Sequence, residues 1–153
     1  MKNTLCFLTL LFGMQAFAQN SSETEAVKAT VNRLFNAMKT SDSLSLKSCF
    51  EPGAQMQTVK VAADGAASVS GEVPDRFITQ VGKSNPGALD ERIVFEKILV
   101  DGPMAVVWTP YKFYYNGNFS HCGVNVFQLI KKADGWKIVS VMDTRRKEGC
   151  DPE

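Results

Sequence analysis

The stretch MAVVWTPYKFYYNGNFSHCGVNVFQLIKKADGWKIVSVMDTRR, residues 104–146, decides the fold of this chain. It is rich in β-branched and aromatic residues and is interrupted only at Asn116-Gly117 and at Lys132-Ala133-Asp134-Gly135. Asn-Gly suits a two-residue hairpin turn because such turns need positive φ. The stretch therefore reads as three strands, Met104–Tyr115, Phe119–Lys131 and Trp136–Arg145. A fourth, Arg92–Val100, joins through Asp101-Gly102. Together they form an antiparallel meander.

The turns set a register, and a strand period of two sorts the side chains onto two faces. With Val100 opposite Pro103, Tyr115 opposite Asn118 and Lys131 opposite Trp136, one face carries Phe95, Leu99, Val106, Trp108, Asn125, Phe127, Leu129, Ile138 and Met142. It is the bulkier face and is expected to pack under the helices. The other carries Val94, Glu96, Val107, Thr109, Val124, Val126, Gln128, Val141 and Asp143, and its moderate apolarity suits contact with a second subunit. A bulge in any strand exchanges the two faces beyond it.

Upstream, Pro74-Asp75 opens a short helix through Val81, and Asn85-Pro86-Gly87 stops it. Gln55–Val61 and a weak strand at Ala67–Ser70 suggest a hairpin around Ala63-Asp64-Gly65. Ala26, Val27, Val31, Leu34, Phe35 and Met38 recur at spacings of three and four, which predicts an amphipathic helix over 21–38. A shorter helix follows over 43–49, ended by Pro52-Gly53.

The first eighteen residues differ from the rest. Lys2, the apolar run 5–12 and Ala16-Phe17-Ala18 are the three parts of a secretory leader, too short to span a bilayer comfortably. Cleavage is expected after Ala18, leaving residues 19–153 as a single periplasmic or secreted domain with no membrane attachment. The 153-residue chain is 44% hydrophobic and 22% charged, which is ordinary globular composition. Loss of Lys2 brings its seventeen basic residues to sixteen, equal to its sixteen acidic ones. A neutral domain has no general attraction for nucleic acid.

The order of helix pair, hairpin, short helix and long meander resembles the nuclear transport factor 2-like superfamily, whose cone-shaped fold includes ketosteroid isomerase and SnoaL-like polyketide cyclases. A closer resemblance lies in Ala105–Tyr111, Phe119–Leu129, Gly135-Trp136-Lys137-Ile138 and Asp143-Thr144-Arg145-Arg146, which look like a bacterial group described as "putative lumazine-binding". The resemblance implies an α+β cone, with N-terminal helices packed on a curved, mainly antiparallel sheet. This superfold hosts enzymes, carriers and assembly modules alike. The ketosteroid isomerase pattern of a carboxylate base and an oxyanion donor maps onto no position of this chain.

On the expected register, His121, the single histidine, lies across from Lys112 and Arg146, with Glu91 beyond Lys112. There it is a general acid/base or ligand-orienting group, or else a hydrogen-bonded histidine near a strand end. Asn125 lies between Trp108 and Met142, either fixing a ligand carbonyl beside an indole platform or satisfied by backbone or water. With Phe95, these residues outline a slot for a flat ring. Tyr111, Asp143 and Arg145 fall on the opposite face, and a bulge would turn them into a polar set at the pocket. Cys122 can pair with Cys150 if the tail folds back at Gly149. Scattered cysteines and one histidine give no metal spacing, and no phosphate-cradling glycine loop is present.

The preferred expectation is a homodimer, joined through the outer sheet face, that binds a small hydrophobic or aromatic molecule without a cofactor. Two alternatives stay open. One is a cofactor-free isomerase, dehydratase or cyclase using His121. The other is an interaction module whose pocket is filled by its own side chains.

Overall fold

The computed structural model describes residues 8–62 and 64–150, with side chains from residue 21 onward. Part of the leader, residues 1–7, lies outside the described residues. Among the described residues, three helices, α1 (Leu8–Thr40), α2 (Ser43–Ser48) and α3 (Pro74–Gly82), accompany seven strands. The strands are β1 (Phe50–Val61), β2 (Ala67–Glu72), β3 (Leu89–Ile93), β4 (Lys97–Asp101), β5 (Met104–Tyr115), β6 (Asn118–Lys132) and β7 (Gly135–Thr144).

The strands form one sheet in the order β2-β1-β7-β6-β5-β3, with β4 also paired to β5. The meander is present, and the α+β class follows. Three local expectations need correction. Arg92–Val100 is two strands rather than one, and the first begins at Leu89. Pro52-Gly53 does not separate helix from strand: β1 starts at Phe50 and passes through an irregularity between Phe50 and Gln55, where Gly53 has φ +84°. β1 then pairs with β7 in parallel. Val100 faces Ala105 rather than Pro103, with Gly102 in the turn at φ +54°.

The expected pairs Tyr115–Asn118 and Lys131–Trp136 both occur, but neither register persists. Tyr114 pairs with Phe119, whereas Phe113 pairs with His121, so Ser120 is an extra residue in β6. Leu129 pairs with Ile138, whereas Gln128 pairs with Ser140, so Val139 is an extra residue in β7. Each bulge exchanges the faces beyond it. β5 therefore presents Ala105, Val107, Thr109 and Tyr111 to the helices, and β7 presents Val141 and Asp143, contrary to the uninterrupted register. Trp108 and Met142 point away from the core as a result.

The core lies between this inner face and the helices. Val27, Val31, Leu34, Phe35 and Met38 on α1 pack on Val107, Phe127, Leu129 and Ile138, with Phe35 edge-on to Phe127 at 5.9 Å. Polar ties fix the helix over the sheet. Trp136 donates its indole N–H to Glu23 at 3.0 Å, Lys131 pairs with Glu23 at 2.6 Å, and Lys39 reaches Asp90 on β3 at 2.9 Å. Asp42 caps α2 by accepting from the Ser45 amide at 2.9 Å. Among the described residues no helix is long and apolar enough to cross a membrane.

Candidate functional site

The curved sheet, α1 and α3 enclose a cavity of about 710 Å³. Phe35 and Met38 from α1, Phe77 from α3, and Phe113 and Phe127 from the sheet form its apolar wall, while Gln57, Lys60, Glu72 and Arg76 line the β1, β2 and α3 side. Five polar side chains from three neighbouring strands meet at one end. They are Tyr111 on β5, His121 and Asn125 on β6, and Asp143 on β7 with Arg145 just beyond it. Glu91 on β3 joins them.

Glu91 reaches the cavity by the alternation of its strand. Asp90 turns outward to Lys39 and Arg92, leaving Glu91 on the face of Leu89 and Ile93. Its Oε1 accepts the Asn125 Nδ2–H at 2.7 Å. Removal of the carboxyl from water raises its pKa to about 7; the Asn125 hydrogen bond and Arg145 oppose this, and the Asp143 charge adds to it. A carboxyl so placed exchanges its proton in the neutral pH range.

Asn125 pairs directly with Asp143 across β6 and β7. Arg145 donates from Nε to Asp143 Oδ2 at 2.7 Å, while Asp143 Oδ1 is buried with no hydrogen-bond donor among the described residues. Tyr111, buried, spends its one O–H on the Thr144 carbonyl at 2.9 Å. Burial and the neighbouring Asp143 and Glu91 charges raise its pKa, so the phenol stays protonated. His121 stands edge-on to Tyr111 at 5.7 Å and contacts Phe113 at 5.1 Å, with Nδ1 3.1 Å from the Ser120 hydroxyl. Its pKa is lowered by burial first and by the Arg145 charge second, so the ring is neutral at neutral pH.

Of the residues singled out in the sequence, the structure brings His121, Asn125, Tyr111, Asp143 and Arg145 to the cavity. The bulge at Ser120 keeps Trp108 on the outer face, where it is 43% exposed and pairs with Val126, which in turn pairs with Met142. Lys112 and Arg146 flank Cys122 on that same face, and the partner of His121 across β5 is Phe113. Phe95 packs against the core without lining the cavity. Cys122 is disulfide-bonded to Cys150, with Gly149 at φ +62° turning the tail, and Cys49 is a buried thiol. The sequence reading placed Glu91 beyond Lys112 but outside the strand, because the strand was started at Arg92 rather than at Leu89. Its position two residues from Leu89 and from Ile93 is the signal that would have found it. No cluster of three or more His, Cys, Asp or Glu able to hold a metal occurs among the described residues.

Residues 22–142 match the family model described as "Putative lumazine-binding". This chain belongs to that family. Its fold is that of the nuclear transport factor 2-like superfamily. One similar structure is a nuclear transport factor 2-like protein of unknown function from Shewanella baltica OS155, with TM-score 0.64 and 16% identity over 84% of this chain and 97% of that one. Another, from Novosphingobium aromaticivorans, has a cystatin-like fold, TM-score 0.66 and 12% identity over 96% and 94% of the two chains. A third is a "putative dehydratase" from Streptomyces avermitilis, with TM-score 0.61 and 15% identity over 83% and 98%. No curated protein matches the sequence at a significant level. At these identities the structural likeness of the lumazine-binding family member to its neighbours is one of fold.

Proposed function

We propose that this protein binds a small, flat organic molecule in the cone cavity. The observation that carries the reading is the cavity itself, in which aromatic side chains of α1, α3 and the sheet meet a cluster of convergent polar groups at one end. That is the usual anatomy of a small-molecule site, and its volume lies in the usual range. The family description is consistent with such a ligand. A ligand that binds only the folded state at a hundred times its dissociation constant stabilises the protein by about 2.7 kcal/mol. A thermal-shift screen of bicyclic nitrogen heterocycles, steroids and aromatic acids is expected to find compounds that raise the melting temperature by several degrees. If none does, the cavity is filled by its own side chains and the binding reading falls.

A second reading is favoured by Glu91 alone. A carboxyl with a pKa of about 7 is suited to move a proton to and from a bound substrate without a cofactor. Glu91 then replaces His121 as the acid/base, because the neutral His121 is tied to Ser120. Turnover of an identified ligand that survives Glu91→Gln would exclude this role.

The protein works, in this proposal, as an exported homodimer. The leader pattern ends at Ala18, the family match begins at residue 22, and the first described core residue is Val27, so cleavage leaves the described core whole. The outer sheet face exposes Leu99 and Trp108 beside Val126 and Met142, an apolar stripe suited to self-association. Protein recovered from the periplasm or medium is expected to begin at Gln19 by mass and to scatter light as a dimer. Trp108→Glu should yield monomers. A retained leader removes the export proposal, and a monomeric parent removes the dimer.

A further inference from the structure

We propose that the Cys122–Cys150 disulfide is a thiol–disulfide exchange site, at which an external dithiol releases the chain end 145–150 and withdraws its cations from the polar end of the cavity. The device does not depend on what the cavity binds.

The disulfide holds a segment that little else holds. β7 ends at Thr144, and residues 145–149 are all exposed. Past Thr144, among the described residues, the chain is joined to β6 by one bridge, in which Cys122 and Arg146 exchange two backbone hydrogen bonds of 2.9 Å. Its other contacts are local or open to solvent: Arg146 Nε reaches the Gly149 carbonyl at 3.5 Å, and the largely exposed Arg145 pairs with Asp143. A segment with no buried apolar side chain opens readily once its covalent tie is cut. The core cluster contains Cys49 but neither Cys122 nor Cys150, so cutting that tie leaves the packing of α1 on the sheet in place.

The two sulfurs are unequal. Cys122 is 3% exposed, whereas Cys150 is half-buried at the chain end, so an incoming thiolate reaches Cys150 Sγ. Its attack forms a mixed disulfide with Cys150, and the electron pair of the broken S–S bond leaves on Cys122 Sγ, which takes a proton from water. Lys112 and Arg146 are the cross-strand neighbours of Cys122 on either side, and flanking cations stabilise a departing thiolate. The second thiol of the reductant then loses its proton and displaces Cys150 as a thiolate, which is protonated in turn. Two electrons and two protons pass to the protein, and the dithiol leaves as a disulfide.

The consequence falls on the cavity. Arg145 is held there between two fixed residues. One is Thr144, whose carbonyl accepts the Tyr111 hydroxyl and whose hydroxyl accepts the Val124 amide; the other is Arg146, bridged to Cys122. Without the second, Arg145 keeps only an ion pair that water competes for, and Lys147 moves off with the tail. His121 reports the change. Around it stand Tyr111 and Phe113 on β5, Glu91 on β3, Asp143 and Arg145 at the β7 end, and Lys147 on the tail. Burial and then the Arg145 charge lower the His121 pKa, with Asp143 opposing and Lys147 adding to the lowering. Opening the tail therefore moves it upward.

The test is run on the native protein with dithiothreitol as the dithiol. Without denaturant it is expected to reduce the disulfide, and iodoacetamide should then label Cys122 and Cys150 while the buried Cys49 stays unlabelled, as read by peptide mass. The Arg146 amide should lose at least about tenfold of its protection against hydrogen exchange relative to the amides of α1. As the single histidine, His121 gives one C2–H proton signal, whose titration midpoint should move to higher pH on reduction and in Cys122→Ser/Cys150→Ser alike. In Arg145→Gln/Lys147→Gln the midpoint should already be raised in the oxidised protein and should move less than half as far on reduction. Reduction only in denaturant, labelling of Cys49 together with the other two, labelling of Cys150 alone, an unchanged Arg146 amide, an unmoved His121 midpoint, or an equal move in Arg145→Gln/Lys147→Gln each overturns the proposal.

Discussion

Above neutral pH the Glu91→Gln protein is expected to be more stable than its parent by about 2 to 3 kcal/mol, and near pH 4 the two are expected to converge. The sign follows from the direction of the Glu91 shift. Its pKa rises from 4.5 in the unfolded chain to about 7 in the folded one, so between those values the folded protein holds the proton more tightly. Stability is therefore full below the unfolded pKa, declines as pH rises through the window, and stays reduced by a constant amount above the folded pKa. That difference corresponds to roughly 3 kcal/mol; solvent reaching the cavity lowers it. Carboxylates whose pKa is depressed, such as Asp90, act with the opposite sign and at lower pH, and they are common to both proteins. The difference between parent and variant thus isolates Glu91. Urea denaturation at a series of pH values measures it, and two parallel stability curves would show that the carboxyl is solvated after all.

The fold was legible in the sequence because its determinants are local. Asn116-Gly117 and Lys132–Gly135 mark their turns without help from distant residues, and the α1 stripe from Val27 to Met38 has helical spacing. The site was legible only in part. Ser120 and Val139 have no special conformation or composition to announce them as extra residues, yet each turns half a strand over. The extra Ser120 moves Trp108 from the packed face to the outer one, and the extra Val139 brings Asp143 inside. What the bulges achieve is tertiary: they bury Thr109 and Tyr111 beneath the helices beside Asn125 and leave Trp108 on the outer face. Glu91 was hidden differently. In Leu89-Asp90-Glu91-Arg92-Ile93 three adjacent charges look solvated, and only the burial of Leu89 and Ile93 shows that the middle one must point inward.

Gly123→Ala is expected to cost about 3 kcal/mol or more, among the largest effects of any one-methyl change in this protein. Gly123 is not in a left-handed conformation; its demand is for space. A Cβ there would overlap the Thr144 carbonyl oxygen and lie 2.8 Å from Cε1 of Tyr111. Neither neighbour yields easily. The Thr144 carbonyl is part of β7 and accepts the Tyr111 hydroxyl, and the chain on either side of it is fastened to β6. Asp143 pairs with Asn125 on one side. On the other, Cys122 and Arg146 exchange two backbone hydrogen bonds of 2.9 Å beside the Cys122–Cys150 disulfide. Relief therefore requires the end of β7 to lift from β6, which carries Asp143 and Arg145 away from Asn125 and Glu91. Gly117→Ala makes a useful contrast. It sits at φ +79° with nothing near its Cβ position, so its penalty is backbone strain alone, roughly 1 to 2 kcal/mol. Denaturant unfolding of both variants should rank Gly123→Ala well below Gly117→Ala. The reverse order would mean that β7 moves aside cheaply and that the close approach of its end to β6 does not hold the polar cluster in place.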